Sequence, residues 1–170
     1  EIESLTTRLR GREARLVAFR EQTHQSADEV SRRQAAYYEV NSPIAAIEEA
    51  RSTGPWDAFV AVGGGSSIDT AKAINLLTTN PGELMDYLNV PVGKGRPPSK
   101  PLKPLVAVPT TTGTGAESTT ICVMDVLSLK VKTGISHDWL RPTLAVIDPD
   151  LTVTQPPRVT AGAGMDILWH

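Results

Sequence analysis

An aspartate and a histidine near the end of the sequence have a spacing that suits a shared metal ion. Asp166 precedes His170 by four residues in the segment GMDILWH. Residues i and i+4 of a helix lie on the same face, and a carboxylate oxygen and an imidazole nitrogen can bind one divalent cation. A catalytic metal generally needs three or more protein ligands and an open position. The pair therefore predicts only part of a metal site.

A glycine-rich stretch, Gly63-Gly64-Gly65-Ser66, joins an apolar segment to a helical pattern. Glycines allow a ligand to approach the backbone without a Cβ clash. The start of the helix behind them offers unpaired N–H groups and the positive end of its dipole. The stretch therefore suits a pyrophosphate, and a tight turn without a ligand is the alternative interpretation.

A second loop rich in hydroxyl groups, PTTTGTGAES, follows another apolar segment. Its hydroxyl side chains can line a nucleotide's sugar and carboxamide, or they can bond only to the loop's own backbone. The usual dinucleotide fingerprint G-x-G-x-x-G fails because Ile68 and Ser118 occupy the sixth positions, and the P-loop pattern is missing. The hydroxyl-bearing residues are Thr110, Thr111, Thr112, Thr114 and Ser118.

The elements that must position these motifs alternate between strand and helix, which predicts an α/β fold with a largely parallel sheet. Such strands are expected to be buried on both faces, with the two loops side by side at their carboxyl ends. The predicted strands are AAYYEV, DAFVAV, LVAVP, two strands in TICVMDVLSLKVKTGI joined through Asp125–Ser128, and TLAVID. The predicted helices are PIAAIEEARSTG, GGGSSIDTAKAINLLTT (capped by Ser66 or Ser67, with the apolar stripe Ile68, Ala71, Ile74 and Leu77) and PPRVTAGAGMDILWH.

Composition restricts the class of protein. The 170 residues are 40% hydrophobic, carry a net charge of −2 and contain one cysteine, Cys122. This predicts an aliphatic core, no internal disulfide and a reducing compartment, and it favours neither nucleic acid nor a membrane as partner. The Arg-rich residues 1–35 also contain several glutamates, which favours a solvated helix over a transit peptide.

Three motifs together, GGGSSIDTAKA, VPTTTGTGAE and GMDILWH, resemble the iron-containing alcohol dehydrogenases. The segments PVGKGRPPSKPLKPLVAVPTT, LKVKTGI and RPTLAVIDP look like the hydroxyacid-oxoacid transhydrogenase branch. The resemblance implies a Rossmann-like nucleotide-binding domain of the iron alcohol dehydrogenase / dehydroquinate synthase-like fold. It implies a partial nucleotide-binding domain over residues 36–155, the start of a helical metal-binding domain over residues 156–170, and a chain that lacks the rest of that C-terminal helical domain.

The resemblance also implies site residues. Asp166 and His170 correspond to the first two of four metal ligands, for Fe²⁺ or alternatively Zn²⁺, whereas His24 and His137 are not expected to bind the metal. Ala163 departs from the Gly, Ser or Thr usual in the family. The residues expected to bind NAD are Gly64, Gly65, Ser66, Asp69, Thr110, Thr111, Thr114, Thr119 and Lys132.

The activity implied is hydride transfer between an alcohol or hydroxy acid and NAD(H), with a small hydroxy acid or oxo acid as substrate and homo-oligomerisation left open. A glycerol dehydrogenase-like enzyme and a non-catalytic nucleotide-binding fragment remain alternatives. A mitochondrial location is expected for a eukaryotic transhydrogenase, and a cytoplasmic one otherwise. The chain on its own is expected to bind metal weakly and to lack turnover.

Overall fold

A computed structural model describes residues 43–126 and 129–169. The Arg-rich start, the strand predicted for AAYYEV, and His24 lie outside these residues, as does His170. No described helix is long and apolar enough to cross a membrane. In chain order the elements are α1 (Pro43–Thr53), β1 (Phe59–Gly63), α2 (Gly65–Thr79), α3 (Leu84–Tyr87), β2 (Leu105–Pro109), β3 (Ile121–Val126), β4 (Val131–Ser136), β5 (Leu144–Ala145) and α4 (Pro157–Trp169).

The described part of the chain contains a parallel sheet, as the sequence predicts, and its strand order is β1-β2-β5. Strands β1 and β2 pair from Phe59 opposite Leu105 to Gly63 opposite Pro109, so their carboxyl ends are level. Strand β5 is shorter than the predicted TLAVID, because only two residues pair with β2 before the chain turns away. The level strand ends determine where the two glycine-rich loops begin.

Helix α2 covers one face of this sheet. Ile68 of the helix is buried against Ala61, Leu105 and Ala107 of the strands. The opposite face of the sheet was expected to be buried as well, but Val60 on that face is 68% exposed. Side chains alternate along a strand, so the face of β1 opposite to the buried Ala61 carries the exposed Val60 and Val62.

The buried surface of α2 is wider than the predicted apolar stripe. Ile68 and Leu77 are buried as predicted, but Ala71 and Ile74 are only partly so. The helix contacts α1, β1, β2 and β3, so most of its circumference is covered. Other buried residues of α2 are Gly65, Lys72, Ala73, Asn75 and Leu76, of which two are polar.

Strands β3 and β4 form an antiparallel hairpin, and β3 packs on α2. Cys122 and Ile135 of the hairpin are buried with Ala73 and Leu76 of the helix. Both predicted strands are present, but β3 continues to Val126, so the connection predicted at Asp125–Ser128 begins later. The ladder pairs Asp125 with Lys132, which keeps those residues extended.

A side chain from α1 fixes the end of α2. Arg51 Nε donates to the carbonyl of Leu77 at 2.9 Å, and its Nη2 donates to the carbonyl of Gly82. Hydrogen bonds from a charged group contribute about 1.5–3 kcal/mol when buried, and this side chain is 32% exposed. We expect Arg51→Met to lower the free energy of unfolding by about 1–2 kcal/mol in urea denaturation. Glu48→Gln, at an exposed position of the same helix, is the control; an equal loss there would contradict the assignment.

Candidate nucleotide-binding site

The first glycine-rich loop lies at the start of α2, where no side chain caps the helix. Gly64 is the N-cap residue, with an extended backbone and no side-chain cap hydrogen bond. Its carbonyl accepts from the N–H groups of Ser67 and Ile68. The prediction of a Ser66 or Ser67 cap is therefore wrong: the helix already begins at Gly65, so both serines lie inside its first turn. An uncapped helix start is free to donate N–H groups to an anion.

The second loop begins at the end of the neighbouring strand. The N–H of Thr110 donates to the carbonyl of Gly63 at 2.9 Å, which joins the two loops at their first residues. Gly113 and Gly115 have φ values of +130° and +63°, a region that favours glycine. The hydroxyl of Thr114 accepts from the N–H of Ala116 at 3.3 Å. Some of the loop's hydroxyls therefore stabilise the loop itself, as the alternative interpretation expected.

The two loops lie in direct contact, which confirms that they sit side by side at the carboxyl edge. A Cβ added to Gly64 would lie 3.2 Å from Thr111 Oγ1, and one added to Gly65 would lie 2.8 Å from Thr114 Cγ2. Real Cβ atoms essentially never approach a heavy atom within 3.0 Å. A side chain at position 65 would therefore meet Thr114, so the loop-to-loop contact favours glycine there.

Asp69 lies one turn further into α2 and faces the β3–β4 hairpin. Its Oδ2 accepts from the N–H of Val123 at 3.1 Å, and its Oδ1 lies 3.5 Å from Lys72 Nζ. Burial raises the pKa of Asp69 above its ordinary value, against the opposing effects of the Val123 N–H, Lys72 and Lys132. A fold role for this carboxylate is thus established, and its predicted contact with the cofactor stays a prediction.

Sequence reasoning missed Lys72, whose side chain is fully buried. Its Nζ donates to the carbonyl and the hydroxyl of Thr119 at 3.0 and 3.1 Å, and to the carbonyl of Ile121 at 2.7 Å. A signal was present, because Lys72 lies four residues after Ile68 and four before Leu76, on the same face of α2. Burial lowers the pKa of Lys72, while Asp69 opposes this shift.

Two further predicted cofactor residues approach the site from the hairpin side. Thr119 ends the second loop, where its hydroxyl accepts from Lys72. Lys132 is exposed on β4, and its charge is among those that favour the ionised form of Asp69. Both residues therefore belong to the same region as α2, and their contacts with a nucleotide stay a prediction.

Helix α4 brings the third motif to the second loop. A Cβ added to Gly113 would lie 2.8 Å from the Ala163 carbonyl oxygen, so helix and loop touch. Asp166 lies three residues further along α4 and is partly buried, whereas His170 lies outside the described residues. Within residues 43–126 and 129–169 no group of three or more His, Cys, Asp or Glu could hold a metal. The described residues thus fit a dinucleotide phosphate, but supply only one carboxylate for a metal.

Known proteins resemble this chain in sequence and in fold. The family model for iron-containing alcohol dehydrogenase matches residues 14–149. The mitochondrial hydroxyacid-oxoacid transhydrogenase of Bos taurus is 54% identical over 126 residues, which cover 74% of this chain and 27% of the bovine enzyme. The chain thus spans about a quarter of the length of that relative.

Two solved structures resemble the fold. A sulfoacetaldehyde reductase from Bifidobacterium kashiwanohense, in complex with NAD+, has 34% identity and a TM-score of 0.63 over 74% of this chain and 32% of its own. An iron-containing alcohol dehydrogenase from Thermococcus thioreducens has 33% identity and a TM-score of 0.65 over 76% of this chain and 34% of its own. The sequence motifs, the parallel sheet and the paired loops agree with these matches, and the chain belongs to the iron-containing alcohol dehydrogenase family.

Proposed function

We propose that this chain supplies the NAD(H)-binding part of a metal-dependent oxidoreductase that transfers a hydride between an alcohol or hydroxy acid and the nicotinamide. One observation carries the proposal: two glycine-containing loops touch each other at the uncapped start of α2. The glycines let the Thr111 and Thr114 side chains of the second loop lie against the start of the helix, beside its first-turn N–H groups. An anion is favoured at that position by the helix dipole and by hydrogen bonding together.

Different residues of the site would bind different parts of the dinucleotide. The N–H groups of Gly65 and Ser66 would donate to the pyrophosphate, with Gly64 keeping its approach open. The hydroxyls of Thr110, Thr111, Thr114 and Thr119 would line the rest of the cofactor, and Lys132 would donate to the nicotinamide ribose. This arrangement would hold the dinucleotide in one orientation, which is the protein's main contribution to cofactor chemistry.

Asp166 and His170 would be two ligands of Fe²⁺, or of Zn²⁺, with the other ligands drawn from outside the described residues. When bound, such a metal acts as a Lewis acid that lowers the pKa of a substrate hydroxyl. The contact between Ala163 and Gly113 supports this assignment, because it ties the helix that carries Asp166 to the nucleotide loop.

The substrate is proposed from the relatives. The 54% identity to a transhydrogenase, against 34% to a sulfoacetaldehyde reductase, favours exchange of hydride between a hydroxy acid and an oxo acid. The same relatives favour a mitochondrial location. A glycerol dehydrogenase-like activity and plain nucleotide binding without turnover are the alternatives that the experiment must separate.

The test uses the 170-residue chain and a chimaera in which residues 43–170 of this chain replace the corresponding stretch of the bovine enzyme. We expect NADH fluorescence titration to show binding by both proteins. Only the chimaera should exchange hydride between a 4-hydroxy acid and a 2-oxo acid under anaerobic conditions with Fe²⁺. If the chimaera binds NADH but does not exchange hydride, the result would support nucleotide binding without turnover. If it oxidises glycerol instead, the result would support the glycerol dehydrogenase-like activity. If neither protein binds NADH, the proposal would be refuted.

A separate prediction concerns the metal. Asp166→Asn in the chimaera should lower metal affinity at least about tenfold, since even partners of metal ligands contribute tenfold or more. Affinity for NADH should stay unchanged, because the two groups would occupy different parts of the site. Metal content after dialysis, measured by mass spectrometry, gives the first value and NADH titration gives the second. Glu48→Gln, at an exposed position of α1, is the control; unchanged metal content in Asp166→Asn would exclude this carboxylate as a ligand.

A further inference from the structure

The buried ammonium group of Lys72 connects α2 to the end of the hydroxyl-rich loop. An ammonium has three protons to donate, and Lys72 has three acceptors within 3.1 Å: the Thr119 carbonyl, the Thr119 hydroxyl and the Ile121 carbonyl. The Asp69 carboxylate lies further away, at 3.5 Å. The three acceptors thus match the lysine's three donors, and the aspartate supplies the compensating charge.

This arrangement fixes the direction in which the Thr119 hydroxyl can act. The hydroxyl oxygen accepts from Lys72, so its own proton remains available for donation. Within the protein that proton reaches only the Ile121 carbonyl among the bonds described for Thr119, and that contact is 3.5 Å long. A hydroxyl held in this way is a donor to an external acceptor such as a ribose, phosphate or carboxamide oxygen.

We propose that Lys72 is a positioning residue of the nucleotide site, which holds Thr119 so that its hydroxyl donates a hydrogen bond to the bound dinucleotide. The inference rests on the proposed function, because it assumes that NAD(H) occupies the two loops. It deepens that function by assigning an indirect role in cofactor affinity to a lysine that no ligand can reach.

A double-mutant cycle on NADH affinity tests the role. Loss of one hydrogen bond to the nucleotide corresponds to roughly a tenfold rise in Kd, so Lys72→Met and Thr119→Val should each raise it by about that factor. If Lys72 acts through Thr119, the double variant should also raise the Kd about tenfold, rather than by the product of the two single effects. Leu76→Ala, equally buried in the same helix, is the control for lost stability and should leave the Kd unchanged.

Hydrogen–deuterium exchange without nucleotide gives an independent reading. Lys72→Met should accelerate exchange across residues 115–123 more than Leu76→Ala does. If Lys72→Met fails to fold, Lys72→Gln, which keeps two donors, replaces it in both measurements. The proposal would be overturned if the lysine variant left the Kd unchanged, or if the effects of the two single variants on the Kd multiplied in the double variant. It would also be overturned if Lys72→Met did not accelerate exchange selectively. A wild-type protein that binds no NADH would refute the proposed function, and with it the role of Lys72 in affinity, while the exchange data would still show whether the lysine holds the loop.

Discussion

Replacing Gly65 by valine is expected to lower affinity for NADH roughly 100-fold or more. The valine side chain would occupy the start of α2, where the first-turn N–H groups would otherwise donate to the pyrophosphate. Two hydrogen bonds to a charged group contribute about 3 kcal/mol together, which corresponds to that factor. Fluorescence titration of the 170-residue chain with NADH measures the change.

The substitution also affects the neighbouring loop, and a second variant separates the two causes. A Cβ at position 65 would lie 2.8 Å from Thr114 Cγ2 and 3.0 Å from Thr114 Cβ, so Thr114→Ala removes the nearest atoms that it meets and keeps only the Cβ. If the phosphate site is blocked, Gly65→Val should remain deficient in the Thr114→Ala background. Recovery to the affinity of Thr114→Ala alone would show that the loss comes from loop displacement. Gly162→Val, where an added Cβ meets nothing within 4 Å, is the matched control.

The location of the site follows from the sequence because parallel strands place their carboxyl ends together. Two apolar segments, each followed by glycines, were sufficient to predict that their loops would meet. The register, with Gly63 opposite Pro109, confirms this arrangement. The elements themselves were also recognisable, since Pro43 and Gly54 bound a helix and VAV runs mark the strands.

Features that depend on tertiary contacts were not predictable from the local pattern. The serines after Gly65 look like caps, yet Gly64 takes that position because the loop backbone is extended there. The spacing from Ile68 and Leu76 indicates that position 72 is covered, but the carbonyls of Thr119 and Ile121 that accept from Lys72 belong to a distant segment, which the helix pattern cannot reveal. Burial of the second sheet face was inferred from composition alone, and Val62, which is 61% exposed among the described strands, contradicts it.

Replacing one member of the Asp69–Lys72 pair should lower the free energy of unfolding strongly. Burial raises the pKa of Asp69 and lowers that of Lys72, so desolvation outweighs the attraction between the two groups. Removing one partner of a buried pair leaves an uncompensated charge and costs about 3–5 kcal/mol. We expect Lys72→Met to lower the free energy of unfolding by that amount in urea denaturation. Asp69→Asn added to it should recover part of the loss, because the amide oxygen can still accept from the Val123 N–H.

The pH dependence of the same variants identifies the group responsible. The pKa of Asp69 is higher in the folded protein than its unfolded value of 3.8. The contribution of this group to stability is therefore present below pH 3.8 and is lost as pH rises through the folded pKa. Lys72→Met removes the nearest cation, leaving the exposed Lys132, so the folded pKa should rise further. As pH rises from the unfolded pKa of 3.8 towards neutrality, the variant should therefore lose more stability than the wild type does. Asp69→Asn in the Lys72→Met background should abolish this additional pH dependence of the free energy of unfolding, because the two variants differ in one carboxyl group only. A slope that persists after Asp69→Asn would mean that another group titrates, and that Lys72 compensates a different charge.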